Sequence, residues 1–363
     1  MFASTGAVVA QDEESMERNF EECLVGVSWN NFQQPRWGAT DKPQMQSYIE
    51  ERGGEFADFD ANLDTLQQDT DIETLINQGA DVLVLLAQDT NAIVPSLEKA
   101  KDAGIPVIAY DRLIEDPDVL YITFDNIGVG EAEASAMFEK VPTGTYVLIK
   151  GDPGDPNAST FLPQGWDNAG LQDKIDSGEI EIFDDQSIPA WSTETARDTM
   201  EAIIDAANAE GVQIDAVLAE NDSTALGVVN ALQAQGYEQI PVSGQDGDPA
   251  NLANVAAGWQ YVDVWKDSNE LGKVAGEAAL QLCEGVAISD ITLPDGVVAE
   301  HAVPPLGNAA QIFTTPGGND VYSIILAPTP VTAENLSLPF EAGWWATKEE
   351  VCANAMEGVA ACE

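Results

Sequence analysis

The sequence predicts an α/β protein of two doubly wound parallel-sheet lobes that share one cleft. Three observations lead there. Residues 81–112 (DVLVLLAQDTNAIVPSLEKAKDAGIPVIAYDR) are echoed by 214–247 (IDAVLAENDSTALGVVNALQAQGYEQIPVSGQDG). Each is an apolar run, a polar tip, an amphipathic helix pattern, a Gly and Pro turn and a second apolar run that closes on Asp, as a duplicated unit would. Strand-length apolar runs also alternate with helix patterns of roughly ten to fifteen residues, the signature of parallel sheets covered on both faces. At 363 residues the chain exceeds one comfortable core, so two units are expected.

In the first series, strands are expected at 24–29 (LVGVSW), 55–60 (EFADFD), 82–87 (VLVLLA), 107–111 (VIAYD) and 121–125 (YITFD), each closed by Asn, Gln or Asp. Helices are expected at 72–78, 93–102 and 131–140, from their apolar spacing. The second series places strands at 146–151 (YVLIKG), 180–185 (IEIFDD), 216–219 (AVLA), 242–246 (VSGQD) and 261–265 (YVDVW), with helices at 195–207, 224–235 and 268–283. Right-handed crossovers put the loops that follow the strands on one edge, where open α/β sheets bind ligands. The polar tips on that edge are Asn30, Asn31, Gln88, Asp89, Asp111, Arg112, Asp125, Asn126, Asp152, Asn157, Asn221, Asp222 and Asp246. Asp and Asn also cap helices and start turns, so part of this set is expected to be structural.

The scarcity of cations selects among these tips. The chain carries 14 Lys and Arg against 63 Asp and Glu, yet Arg36, Arg112 and Lys266 all follow predicted strand ends. Surface pairing, such as Arg112 with Asp111, is the bland alternative and contributes little. A guanidinium is also a planar fork whose donors suit adjacent hydroxyls. Trp37 stands beside Arg36, and Trp191 lies in the polar loop PAWSTE after the 180–185 strand. Apolar walls with a few convergent polar groups make small-molecule sites. An indole face suits the C–H face of a pyranose, while Asp, Asn and Arg saturate its hydroxyls.

A formal charge of -49 repels nucleic acid and anionic headgroups, whose capture needs clustered Lys and Arg. The acids are spread along the chain, as in a solvated shell suited to a saline exterior. Hydrophobic residues at 44% exclude general disorder. No run approaches the roughly 18 apolar residues that a bilayer crossing needs. MFASTGAVVA ends in a small-residue pattern followed by acidic QDEE, so 1–22 is expected to be a signal-peptide remnant and flexible leader. Cys23, Cys283, Cys352 and Cys362 fit an oxidising compartment. Cys352 with Cys362 would close a short loop through Gly358, while Cys23 and Cys283 fit buried free thiols as well. No C-x-x-C pair offers zinc or thiol-redox chemistry, and neither metal nor cofactor is expected.

Rival chemistries lack their parts. The one histidine, His301, falls in an expected crossover, which leaves triad and metal-centred hydrolysis without a base or a ligand set. GVGEAE at 128–133 follows a strand and opens a helix, but Glu131 and Glu133 would oppose a pyrophosphate and a third glycine is missing. Gly128 and Gly130 are read instead as backbone accommodation near a hinge. Asp58, Asp60, Asn62 and Asp64 alternate like a calcium loop, but Leu63 stands where Gly is needed and Asp69 where Glu is needed, so a solvated loop is expected. The acidic leader at 15–23 has neither the length nor the charge of a helix-turn-helix.

The motifs PRW (35–37), GIPVIAYDRLI (104–114), ITFDN (122–126), GDPGDPNA (151–158), AEND (219–222), VSGQDGD (242–248) and VWKD (264–267) occur in this order. In them the chain resembles the periplasmic sugar-binding proteins of ABC importers, the ribose, galactose and xylose group, in particular those that take D-xylose or several monosaccharides. The resemblance implies a type I periplasmic binding protein fold, two lobes joined by a three-segment hinge with crossings near 125–127, 263–265 and 298–301. It divides the chain into a first lobe of 23–126 plus 265–299, a second lobe of 127–264 plus 300–345, and a C-terminal tail at 346–363. It implies that Arg36, Trp37, Arg112, Asn157, Asn221, Asp246 and Lys266 contact a sugar ring and its hydroxyls, that Trp191 stacks on it, and that Asp111 shares the site. Two departures accompany the likeness: the family's paired asparagines are Pro156-Asn157 here, and 306–322, with its TTPGGND turn, looks inserted.

The same resemblance implies a monomeric, extracytoplasmic protein, in the periplasm or at the cell surface, that is not an enzyme. It would capture an aldopyranose such as D-xylose, glucose or galactose by hinge closure and hand it to a membrane permease of the ABC type. A sugar-sensing ectodomain role beside a chemoreceptor or sensor kinase fits the same residues. Glycoside hydrolysis needs only two carboxylates, and the likeness to non-catalytic binders is what argues against it.

Overall fold

Strands apolar on both faces need helices on both sides, and the first sheet of the computed structural model is built that way. The structure describes residues 20, 22–297 and 308–363. Most of the expected leader and the crossing expected at 298–301, with His301, lie outside them. The first sheet takes β1 (Leu24–Trp29), β2 (Glu55–Asp60), β3 (Val82–Leu85), β4 (Val107–Tyr110) and β5 (Val119–Phe124), all mutually parallel. Helices α1 (Lys42–Glu50), α2 (Thr65–Gln78) and α3 (Val94–Asp102) connect them. The acidic alternation at 58–64 closes a turn and starts a helix: Asp60 accepts from the Asn62 N–H, and Asp64 caps α2 through the Leu66 and Gln67 N–H groups.

Helix α4 (Asn126–Lys140) leads into the second lobe, where β6 (Gly144–Lys150) is flanked in parallel by β7 (Ile180–Ser187) and β8 (Ala216–Ala219). The helices α5 (Leu162–Asn168), α6 (Leu171–Ser177), α7 (Thr193–Glu210), α8 (Asp222–Ala234) and α9 (Pro249–Ala257) surround it, and β9 (Asp263–Trp265) follows. The strand expected at 242–246 is reduced to isolated bridges, Val217 to Val242 and Gln245 to Val264. Ser243 Oγ accepts from the Ala219 N–H and donates to the Ala219 carbonyl, so a side chain replaces the ladder there. Gly130, read as backbone accommodation near a hinge, meets the backbone of α5: a Cβ on it would stand 2.3 Å from the Leu162 carbonyl oxygen. Glu133 is buried beside it and accepts from Trp166 Nε1.

Helix α10 (Ser268–Cys283) returns to the first lobe and packs along α1. There β10 (Gln311–Thr314) and β11 (Asp320–Leu326) extend the sheet to the order β10-β11-β5-β4-β3-β1-β2. Residues 323–326 pair in parallel with 121–124, so of the segment 300–345 expected in the second lobe, 311–326 belongs to the first-lobe sheet. After Leu326, β12 (Thr329–Val331) pairs antiparallel with β9 of the second lobe. Residues 346–363, expected as a C-terminal tail, pack on the second lobe. With α11 (Ser337–Glu341) and α12 (Lys348–Val351), they bury Trp344, Ala346, Val351 and Val359 against Leu252, Val255 and Trp265. No helix among the described residues is long and apolar enough to cross a membrane.

Helical structure at 37–50 and 157–168 escapes the sequence expectation, because Gly38, Pro43, Pro163 and Gly165 read as breakers. Each stretch opens with a π-helical turn, Trp37–Asp41 and Asn157–Phe161, closed by the Lys42 and Leu162 N–H groups on residues five before them. In both cases the next residue is the proline, which has no N–H to leave stranded where the register changes. Both cysteine pairs are closed, Cys352 with Cys362 and Cys23 with Cys283. The free-thiol alternative for Cys23 and Cys283 therefore falls, since the first-lobe core brings their Cα atoms to 5.9 Å. Cys23→Ser combined with Cys283→Ser is expected to cost about 2–4 kcal/mol, seen as a lower urea midpoint. An unchanged midpoint would show that packing alone holds β1 to α10.

Candidate functional site

Three of the chain's few cations, Arg36, Arg112 and Lys266, are buried where the lobes meet. After β1 the side chains of Asn30 and Asn31 accept backbone N–H groups and shape the turn into the first π-helical segment. Arg36 lies 4.1 Å from the Trp37 ring centroid, and its Nη2 donates to Asp41 Oδ1 at 2.9 Å within its own lobe. Its Nη1 reaches Asp246 Oδ1 of the second lobe at 3.0 Å and Asp111 Oδ2 at 3.4 Å. Burial works against this charge, but Asp41, Asp111 and Asp246 outweigh it and hold the guanidinium protonated, well above its ordinary value.

Arg112 follows β4. Its Nη1 donates to the Ala87 carbonyl at 3.0 Å in its own lobe, and its Nε lies 2.8 Å from Asp155 Oδ2 in the other. Asp155 also accepts from the Asn157 N–H at 2.9 Å. Asn157 Nδ2 approaches Asp111 Oδ1 at 3.4 Å, while its Oδ1 accepts from Asn126 Nδ2 at 3.0 Å. Two ion pairs and this amide relay thus tie the lobes together. They surround a cavity lined by Gln34, Arg36, Trp37, Asp111, Arg112, Asp155, Asn157, Trp191, Asn221, Gln245, Asp246 and Lys266.

The nine residues that the resemblance assigns to the sugar site, Arg36, Trp37, Asp111, Arg112, Asn157, Trp191, Asn221, Asp246 and Lys266, all border this one cavity. Trp191 lies against Gly151, where a Cβ would come within 2.2 Å of the indole, and its Nε1 has no partner among the described residues. Asn221 uses its Oδ1 to cap α8, accepting from the Thr224 N–H at 3.0 Å, which leaves its amide nitrogen available to a ligand. Lys266 sits at the second crossing, 5.8 Å from the Phe124 ring centroid. Backbone strain gathers here as well: φ is +62° at Asp111, +57° at Ala190, +55° at Trp191 and +110° at Asp246. Such conformations in non-glycine residues cost on the order of 1–3 kcal/mol each and persist where the surroundings over-determine them.

Gln34, Asp155 and Gln245 also line the cavity and escape the sequence reading. Asp155 and Gln245 sit inside GDPGDPNA and SGQD, so their motifs were visible, but no periodicity sets which loop side chain turns inward. Other tips are structural, as expected of part of the set. Asp125 caps α4 through the Gly128 N–H, and Asp152 accepts from the Ala190 N–H at 2.6 Å.

Behind Asp246 the second lobe buries further carboxyls. Asp222 Oδ2 accepts from the Gly247 and Asp248 N–H groups at 3.0 and 2.8 Å, and Asp263 Oδ1 accepts from Gly247 at 3.1 Å. Burial, reinforced by repulsion among neighbours, pushes Asp222 and Asp248 well above the carboxylate range. Burial likewise brings Asp263 up to about 7. Burial raises Asp246 too, against the pull of Arg36 and Lys266. A folded value above the unfolded one means stability that is complete below about pH 4 and lost as pH rises through about 7. Unfolding free energy is therefore expected to fall between about pH 5 and about pH 8, and Asp263→Asn to flatten that dependence. Denaturant titrations at both values check this, and the same slope in both proteins would remove the assignment.

The profile of the periplasmic binding protein domain family matches residues 25–287. The chain is 37% identical over 280 residues to the D-xylose-binding periplasmic protein of Escherichia coli (strain K12), covering 76% of this chain and 83% of that protein. It is 35% identical over 270 residues to the D-xylose-binding periplasmic protein of Haemophilus influenzae, covering 74% and 80%. A solved ABC transporter solute binding protein from Clostridium phytofermentans with bound β-D-glucose has a TM-score of 0.77 at 32% identity, over 90% of this chain and 99% of that one.

Proposed function

The chain belongs to the periplasmic binding protein family, whose members bind substrates without transforming them, and we propose that this one captures a monosaccharide between its lobes. D-xylose or a related aldopyranose such as glucose is the ligand class, and an ABC-type permease receives it outside the cytoplasm. The observation that carries this reading is the charge balance of the cavity. Arg36 is matched by Asp246 and Arg112 by Asp155 across the lobe boundary, so the pocket presents strong donors and acceptors without a net demand for charge. A neutral polyhydroxylated ring suits such a site. A charged substrate would leave one of these buried ions uncompensated.

The remaining groups fit the same ligand. Trp37 and Trp191 supply apolar walls, and Trp191 Nε1 and Gln245 Oε1 are buried without partners among the described residues, a donor and an acceptor for hydroxyls. The named relatives take D-xylose, and the solved neighbour holds glucose, which supports an aldopyranose. Cavity residues come from both lobes, so only the closed form assembles the whole set. Sugar would favour closure by the difference in its affinity for the two forms, with the three crossings acting as the hinge. The closed shape would then be what the permease recognises.

A melting-temperature panel of pentoses and hexoses identifies the ligand, because a compound that binds only the native state raises the midpoint. Asp246→Ala and Arg112→Ala are each expected to weaken sugar binding by about tenfold or more, measured by calorimetry. A panel in which no monosaccharide shifts the midpoint would sink the reading.

A further inference from the structure

Residues after β12 lie beyond the family match at 25–287, yet they reach the back of the cavity. Trp344, 5% exposed, donates from Nε1 to the Gly247 carbonyl at 2.5 Å and meets Trp265 edge-on with ring centroids 5.6 Å apart. Gly247 directly follows Asp246, and Trp265 directly precedes Lys266. One indole thus holds the chain neighbours of two cavity residues from behind, without lining the cavity itself. From this geometry we infer that Trp344 is a positioning residue for sugar capture: it fixes the backbone that presents Asp246, and the disulfide-closed C-terminal segment is its brace. The inference rests on the proposed function for its effect on affinity, though not for its structural core.

The loop has few other ties. The Asp246 N–H reaches the Val264 carbonyl at 3.3 Å, and the Gly247 and Asp248 N–H groups go to Asp222 and Asp263. Those anchors, Asp222 and Asp263, are carboxyls crowded by Asp246, and Asp222 also by Asp263 and Asp248. The indole donor does not titrate, and it is the partner of the Gly247 carbonyl. Asp246 holds φ +110°, a conformation its surroundings must enforce, so releasing the next carbonyl frees the loop to relax. The brace itself is ordered: the Met356 N–H donates to the Ala256 carbonyl at 2.9 Å, Cys352 is bonded to Cys362, and Val351 and Val359 are buried.

Trp344→Phe keeps a ring against Trp265 and removes only the donor. Amide hydrogen exchange across 246–248, followed by mass spectrometry without sugar, is expected to accelerate roughly threefold to tenfold, with β3 unchanged. The dissociation constant for the sugar found in the panel is expected to rise by a similar factor. In an Asp246→Asn background the added loss should shrink to about twofold or less, because the effect passes through Asp246. Unchanged exchange at 246–248 overturns the inference whatever sugar does, and so do equal losses in both backgrounds. A wild-type protein that binds no monosaccharide defeats the proposed function alone, and exchange still decides this one. Should Trp344→Phe fail to fold, Cys352→Ser with Cys362→Ser loosens the same brace and is judged by the same exchange.

Discussion

Two guanidiniums that cannot shed their protons, Arg36 and Arg112, are buried with counter-charges on the opposite lobe, and the arrangement of the cleft follows from that constraint. An ion taken out of water is tolerable only when paired and hydrogen-bonded. The first lobe supplies these arginines, and the second supplies Asp155 and Asp246, within a domain rich in buried carboxyls. Contact between the lobes therefore satisfies both sides at once. Three of the 14 Lys and Arg side chains, Arg36, Arg112 and Lys266, thus give so acidic a chain a polar pocket where its lobes touch.

Positioning these groups requires backbone that regular elements do not provide. Both π-helical turns stand at the start of a cleft-facing helix, one carrying Trp37 next to Arg36 and the other carrying Asn157. Such turns recur at functional sites because they redirect a helix without breaking it. Positive φ at Asp111, Trp191 and Asp246 serves the same end in the loops. Each strained residue is held by fixed neighbours: Asn157 reaches Asp111, Gly151 seats Trp191, and the Asp222 and Asp263 carboxyls bond the loop beside Asp246. Rigidity near the cavity thus has identifiable sources in each lobe.

Much of this was legible in the sequence. β1, β2 and β8 occupy the residues expected of them, because apolar runs bounded by polar tips have few other fates. Arg36, Arg112 and Lys266 could be singled out because cations are rare here, and the indoles because they stood in polar loops. The family resemblance added Asn157 and Asn221, which composition alone could not separate from ordinary caps, and Asn221 is in fact also a cap. Lobe membership of β11 was not legible, since VYSIIL reads as a strand but nothing in it names β5 as its partner. Proline and glycine hid the two cleft helices. Trp344 was invisible for a plainer reason: its contact with Gly247 spans chain segments far apart, and no local pattern encodes it.

The most direct measurement is a crystal structure of the protein grown with D-xylose or D-glucose. One sugar ring is expected in the cavity between Trp37 and Trp191, within hydrogen-bonding reach of Arg36, Arg112 and Asp246, with the Arg112–Asp155 pair intact. A sugar bound outside the junction of the lobes, or lobes that close on it without those arginines meeting the second lobe's carboxylates, would contradict it.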